Sequence, residues 1–237
     1  MEGTRCVPES QLPCIENFSS SAMIPWHPIT FVGDSLITLP AAAAIVLWLL
    51  SAGAWRMAFY WCLLFGGGCF VVVASKIAFI GWGLGLPGLD FTGVSGHAMR
   101  ACAILPVVAW LLLRQVSPAQ RKAGMALAVA LATLISVSRL VLHFHSLSEV
   151  VTGIGLGMLV AIAFIKRFEH SPGLRLQRWV VGLTMLGLIP STYAEPAPTQ
   201  RWMTHVALYL SGHDRPYVRK PNGELARASS AAPDENQ

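Results

Sequence analysis

Arg139, His143, His145 and Glu149 stand close together in one short polar interruption between two apolar runs. A histidine is the side chain best suited to nucleophilic or acid–base work near neutral pH, and an arginine offers a planar fork for paired anionic oxygens. Glu149 follows His145 by four residues, which lays the two side by side at the start of a helix. The carboxylate can then accept from one ring nitrogen and aim the other at a substrate. Upstream, Ser95-Gly96-His97 opens another apolar run. At such a helix start the unpaired N–H groups and the helix dipole favour an anion, and glycine lets the backbone come close. Lys76 ends an earlier apolar run and adds a positive charge. These residue types suit a phosphate-bearing substrate, with His145 and His97 acting on phosphorus from opposite sides.

The elements that must carry these residues are membrane helices. Of 237 residues, 54% are hydrophobic and only 12% charged, with mean hydropathy +0.56, which excludes an ordinary soluble domain and predicts an all-α integral membrane protein. Apolar runs cover 35–54, 57–79, 97–113, 123–142, 147–165 and 179–194. They predict six transmembrane helices in one bundle; the last run is short and contains Pro190. Gly66-Gly67-Gly68 reads as a packing site between helices. The chain divides into a polar N-terminal segment at the outer face (1–34), the bundle (35–194), and a C-terminal part (195–237). In that last part Trp202, Val206 and Leu210 recur at helical spacing, predicting an interfacial helix, and the polar tail beyond Pro216 is expected to be disordered.

Spans joined by short loops alternate their ends, so Lys76, His97, Arg139, His145 and Glu149 are expected on one face. The other face receives Arg56, Arg114, Arg121, Lys122, Lys166, Arg167, Arg175 and Arg178, and by the positive-inside rule it is cytoplasmic. The polar clusters then face outward, into the periplasm if the membrane is a bacterial inner membrane. The pI of about 9.2 reflects these loops and the tail, and nucleic acid is discounted as a partner. Residues 1–34 lack the pattern of a signal peptide, so the first span is expected to direct insertion. Cys62, Cys69 and Cys102 lie within apolar runs as ordinary small side chains, whereas Cys6 and Cys14 can pair if their segment faces an oxidising compartment.

Ser95-Gly96-His97, then Ser138-Arg139, five residues, His145, three residues and an acid, resembles the type 2 phosphatidic acid phosphatase family of membrane lipid phosphatases, relatives of vanadium haloperoxidases. The similarity runs from about Lys76 to the fifth span. It implies that His145 forms a phosphohistidine, that His97 protonates the leaving group, that Arg139 and Lys76 bind phosphate, and that no metal or other cofactor is needed. The implied substrates are phosphatidic acid, phosphatidylglycerophosphate, undecaprenyl diphosphate or a lipid A phosphate.

Three positions depart from the family pattern. Its first motif has lysine, six residues, then arginine-proline, where this chain has Gly83-Leu84; Val94 replaces a proline; and Glu149 replaces an aspartate. The lost arginine can mean a different headgroup geometry, replacement by a residue such as Arg100, or reduced activity. Structural roles stand beside the chemical ones: Ser146 and Glu149 fit a capping box, Ser95 and Asp34 fit helix caps, and His143, off the family spacing, fits a structural position. His97, His143, His145 and Glu149 also include zinc-ligand types, but the adjacent Arg139 would repel a cation. The alternative function is a non-catalytic lipid-phosphate binding or transport protein on the same scaffold.

Overall fold

The computed structural model describes residues 26–171, 174–188, 199–219 and 225–227. Within them the helices are α1 (Trp26–Val32), α2 (Ser35–Ser51), α3 (Trp55–Trp82), α4 (Gly96–Leu112), α5 (Pro118–Val141), α6 (Leu147–Phe168), α7 (Arg178–Gly187) and α8 (Thr199–Ser211). The all-α membrane class is observed. Four segments are long and apolar enough to cross a bilayer: Ile29–Ser51, α3, α5 and α6, with α4 a shorter apolar helix. The expected count of six spans is therefore not reached on length and apolarity among the described residues.

Local chemistry explains several helix boundaries. Asp34 caps α2, its carboxylate accepting from Leu36 N at 3.0 Å. Ser117 and Gln120 form a capping box ahead of α5, with Pro118 in the first turn. α3 ends at Gly83, whose left-handed φ of 69° closes the helix without a Cβ clash. His143 takes the corresponding left-handed position after α5 (φ 56°), with its side chain exposed.

The short helix α4 is the centre of the bundle. Ala98, Met99, Cys102, Ala103 and Val107 are essentially inaccessible, and α5 and α6 pack along it. The close approach of α6 rests on Gly153 and Gly157: a Cβ there would sit 2.6 Å from Ser95 O and 2.3 Å from Met99 O. The glycine run of α3 plays a smaller part than expected. Gly68 faces Met99 and Val160, but Gly66 and Gly67 have nothing within 4 Å of an added Cβ. A run of three adjacent glycines points in three directions around a helix, so only one of them can face a given neighbour.

At the end where α2 turns into α3, Trp61 stacks on Phe65 and meets Phe164 edge-on, and Trp48 donates to Thr184 Oγ1 of α7 at 2.7 Å. Gln177, preceding α7, donates to Ser51 O at that same end. α8 lies at the other end, with Ala207 buried against Phe79 and Ile80 of α3, while Trp202, Tyr209 and Leu210 stay exposed. The chain thus changes ends between α7 and α8; residues 189–198, with Pro190, lie outside the described residues. So do 1–25, and with them the question of a Cys6–Cys14 pair; Cys62, Cys69 and Cys102 are free.

Of the tail expected to be disordered, residues 217–219 and 225–227 are ordered. Beyond Pro216 the chain forms a short antiparallel hairpin, β1 (Tyr217–Arg219) with β2 (Leu225–Arg227). Strands of three residues are too short to show a period in sequence, and this pair is held by contacts to distant residues.

Candidate active site

His145 stands in the bend between α5 and α6, and its Nδ1 lies 2.6 Å from Glu149 Oε2, one helical turn on. Glu149 is 2% exposed and engaged on both oxygens. Oε1 accepts from Thr92 N at 2.9 Å, from Thr92 Oγ1, and from Arg219 Nη2 at 2.6 Å. Oε2 faces His145 and, at 3.4 Å, Ser146 N, completing a capping box in which Ser146 Oγ accepts from Glu149 N. The expected cap and the expected histidine contact are thus made by the same carboxylate. Burial holds the His145 imidazole below its ordinary value of 6.5; the Glu149 contact opposes this, and nearby Lys76 and Arg139 add to it. His145 is accordingly a neutral ring near pH 7, with Nδ1–H donated to Glu149 and Nε2 left with its lone pair.

The second cluster lies at the start of α4. Glu149 O accepts from Ser95 N at 3.0 Å, which ties the two clusters through the backbone. Ser95 occupies the N-cap position, but its hydroxyl makes no capping bond; it is fully buried and unpartnered among the described residues. The Ser95 cap expected from sequence is therefore absent. Gly96 is a close-approach position: a Cβ there would lie 3.0 Å from Arg100 Nη1 and 3.3 Å from Val72. The Arg100 fork folds back over the helix start, with its Nε held by Thr38 Oγ1 at 2.9 Å. His97 points to the α1–α2 corner, where its Nε2 lies 3.5 Å from Asp34 Oδ2.

Arg139, in the last turn of α5, donates from Nη1 to Thr30 Oγ1 at 3.0 Å and lies over the Phe144 ring at 4.2 Å. Its Nε is buried without a partner among the described residues. Lys76, near the end of α3, lies within electrostatic reach of Arg100, Arg139 and Glu149. Its stem packs on Gly93, where a Cβ would come within 3.1 Å of Lys76 Cγ. A pocket of about 320 Å³ opens beside these groups, lined by Lys76, Thr92, Gly93, His145, Glu149 and Arg219.

The charge balance has a direction. Glu149 and Asp90 are taken up by Arg219, and Asp34 faces His97. Lys76, Arg100 and Arg139 have no acidic partner among the described residues. Cations half-removed from water and left to repel one another are costly unless an anion joins them. The arrangement can bind phosphate oxygens, present a neutral imidazole to phosphorus, and offer a second imidazole for proton transfer.

Asp34, Thr30, Thr92 and Arg219 are site neighbours that the sequence reading does not name as such, and Arg100 enters it only as one replacement for the family's arginine. Asp34 had a hint, being the acid just before the first span, but was assigned only its cap. Arg219 had none, since nothing in a polar tail indicates which residue returns to the bundle. Gly83, where the family's first motif has arginine, carries the Tyr217 ring against it, 2.8 Å from where a Cβ would be.

A family model for the PAP2 superfamily matches residues 78–171, which hold Ser95, Gly96, His97, Arg139, His145 and Glu149. An uncharacterized 22.5 kDa protein in the cps region of Klebsiella pneumoniae is 39% identical over 200 residues, covering 82% of this chain and 95% of that protein. Phosphatidylglycerophosphatase B of Bacillus subtilis (strain 168) is 32% identical over 83 residues, covering 34% of this chain and 40% of that enzyme. No solved structure matches. The chain belongs to the PAP2 superfamily.

Proposed function

We propose that the protein is a lipid phosphatase that removes the terminal phosphate of a membrane lipid through a phosphohistidine on His145. The observation that carries this reading is a group of cations without an acidic partner among the described residues, Lys76, Arg100 and Arg139, together with the unpartnered Ser95 hydroxyl and Arg139 Nε, near an imidazole already paired with a carboxylate. A phosphate held among these cations would neutralise them together.

In this mechanism the Nε2 lone pair of His145 attacks phosphorus while Nδ1–H stays with Glu149. The phosphorus–oxygen bond to the lipid breaks, and His97 gives its proton to the departing oxygen. His97 then takes a proton from water, which attacks the phosphohistidine and releases phosphate, returning both histidines to their starting state. Arg139, Arg100, the Ser95 hydroxyl and the Gly96 N–H hold the charge spread over the equatorial oxygens. Arg100, over the start of α4, supplies a guanidinium that the chain lacks at Gly83, and Asp34 orients His97. Side chains supply nucleophile, acid and charge, so the reaction proceeds without a metal.

A lipid substrate is supported by the surroundings. Trp82, Leu84, Leu86, Leu89, Phe144 and Leu147 are exposed around the same end of the bundle, where they can hold acyl or isoprenoid chains while the phosphate enters the pocket. The basic residues of the 113–117 and 169–178 loops lie at the opposite end, Arg114 donating to Ser171 O at 2.7 Å. By the positive-inside rule this supports a site on the outer face, periplasmic in a bacterial inner membrane. In this reading 35–194 is the catalytic bundle, and phosphatidic acid, phosphatidylglycerophosphate, polyprenyl diphosphate and lipid A phosphate are the substrates to try.

The test is phosphate release by the purified, detergent-solubilised protein from that panel with EDTA present, comparing wild type with His145→Ala. Release that requires His145 and survives EDTA supports the reading. The second reading, a non-catalytic lipid-phosphate binder, is favoured by Gly83, where Tyr217 occupies the space of the family arginine. Lipid binding without release from any panel member would establish it instead.

A further inference from the structure

The C-terminal hairpin reaches the site from outside the segment that the superfamily model matches. Its Tyr217 ring packs on Gly83, and Tyr217, Val218 and Arg219 form one wall of the His145 pocket. Arg219 then bridges three groups. Its Nη2 lies 2.6 Å from Glu149 Oε1 and 2.8 Å from Asp90 O, and its Nε lies 2.9 Å from Asp90 Oδ1. We propose that the hairpin is part of the active site and that Arg219 is a positioning residue, locking the Glu149 carboxylate in the orientation that aims His145.

The geometry explains why such a lock is needed. Glutamate has one more rotatable bond than the family's aspartate, so its carboxylate has more orientations to choose from. Thr92 and Arg219 together pin Oε1, which leaves Oε2 in a single place, against His145 Nδ1. The groups facing His145 are Glu149 on α6, Lys76 on α3 and Arg139 on α5, with Arg219 on β1 acting through Glu149 and Asp90 on its far side. Arg219 offsets the negative charge of Glu149, so removing it should make the imidazole hold its proton more firmly.

The role in turnover rests on the phosphatase reading, so the test has one arm that does not. In full-length protein with isotope-labelled histidine, the His145 resonance, assigned by its loss in His145→Ala, is titrated by NMR in wild type, Arg219→Ala and Arg219→Lys. Arg219→Ala should move the midpoint upward and Arg219→Lys should restore most of it. In the second arm, turnover of whichever panel lipid is hydrolysed should fall about tenfold in Arg219→Ala, mainly in kcat, as expected for one charged hydrogen bond lost. In a Glu149→Ala background the same change should cost nothing further. An unmoved midpoint, or full additivity with Glu149→Ala, would overturn the proposal. If no lipid is hydrolysed the phosphatase reading fails, while the titration still decides the hold of Arg219 on the Glu149–His145 pair.

Discussion

Replacing Glu149 by glutamine separates orientation from tautomer. From sequence alone, glutamine only weakens the aim of His145 and leaves partial activity. The structure makes a harsher prediction, because the two oxygens of Glu149 see different partners. Oε1 receives Thr92 N and Arg219 Nη2, both obligate donors, so the glutamine carbonyl must take that place. The amide NH2 is then forced against His145 Nδ1 and Ser146 N. An NH2 can only donate there, so Nδ1 must become the acceptor and the ring proton moves to Nε2. That tautomer has no lone pair for phosphorus. A hydrolase whose catalytic histidine is held in the wrong tautomer loses about 10⁴-fold in kcat, so Glu149→Gln should lose roughly 10³–10⁴-fold, about 4–5.5 kcal/mol of barrier. Glu149→Ala leaves the ring free to choose its tautomer and should lose less, about 10–10²-fold, despite removing more of the side chain. The assay is single-turnover phosphate release, with circular dichroism as a control for folding. Glutamine more active than alanine would refute the reasoning.

Four further outcomes are expected. In the proposed mechanism His145 reacts as the neutral ring, and burial lowers its pKa below 6.5, so the rate should hold through pH 6.5 and fall only as pH drops below it. The unfolded ring binds its proton first on acidification, so stability also declines as pH falls through that window, and a kcat/KM profile with its acid limb at or above 6.5 would count against the burial argument. Arg139→Lys keeps the charge but loses the fork held by Thr30 and Phe144, and should reduce turnover about 10²-fold in the same assay. Asp34→Asn keeps a competent helix cap but removes the charge facing His97, so turnover should fall about tenfold while the thermal midpoint stays put. Gly157→Ala would press a Cβ onto Met99 O and should cost about 1–3 kcal/mol in denaturation, whereas Gly66→Ala, with open space around it, should stay within about 0.5 kcal/mol.

The legible parts of this protein were those written in local pattern. Apolar runs sufficed to place α2 to α6, since a bilayer demands helices that satisfy their own backbone. The His145–Glu149 pair was readable because its partners sit one helical turn apart. Other features misled for equally physical reasons. Ser95 fits a cap by sequence, yet its hydroxyl makes no bond to the helix backbone and has no partner among the described residues. The closest helix approaches rest on Gly153 and Gly157, spaced four apart on one face of α6, while only Gly68 of the contiguous run in α3 meets a neighbour.

By itself the amino-acid sequence determined the membrane class, the principal helices, the common face of the two histidine clusters and the local carboxylate that pairs with His145. All of these depend on hydropathy or on spacings within a few residues. Only the tertiary structure decided that Asp34 faces His97, that Thr92 and Arg219 share Glu149 Oε1, that Arg100 folds over Gly96, and that a tail hairpin walls the pocket. Each of the contacts to Asp34, Thr92 and the hairpin joins residues far apart in the chain, and a long-range pair is chosen by how helices pack, which no local periodicity encodes.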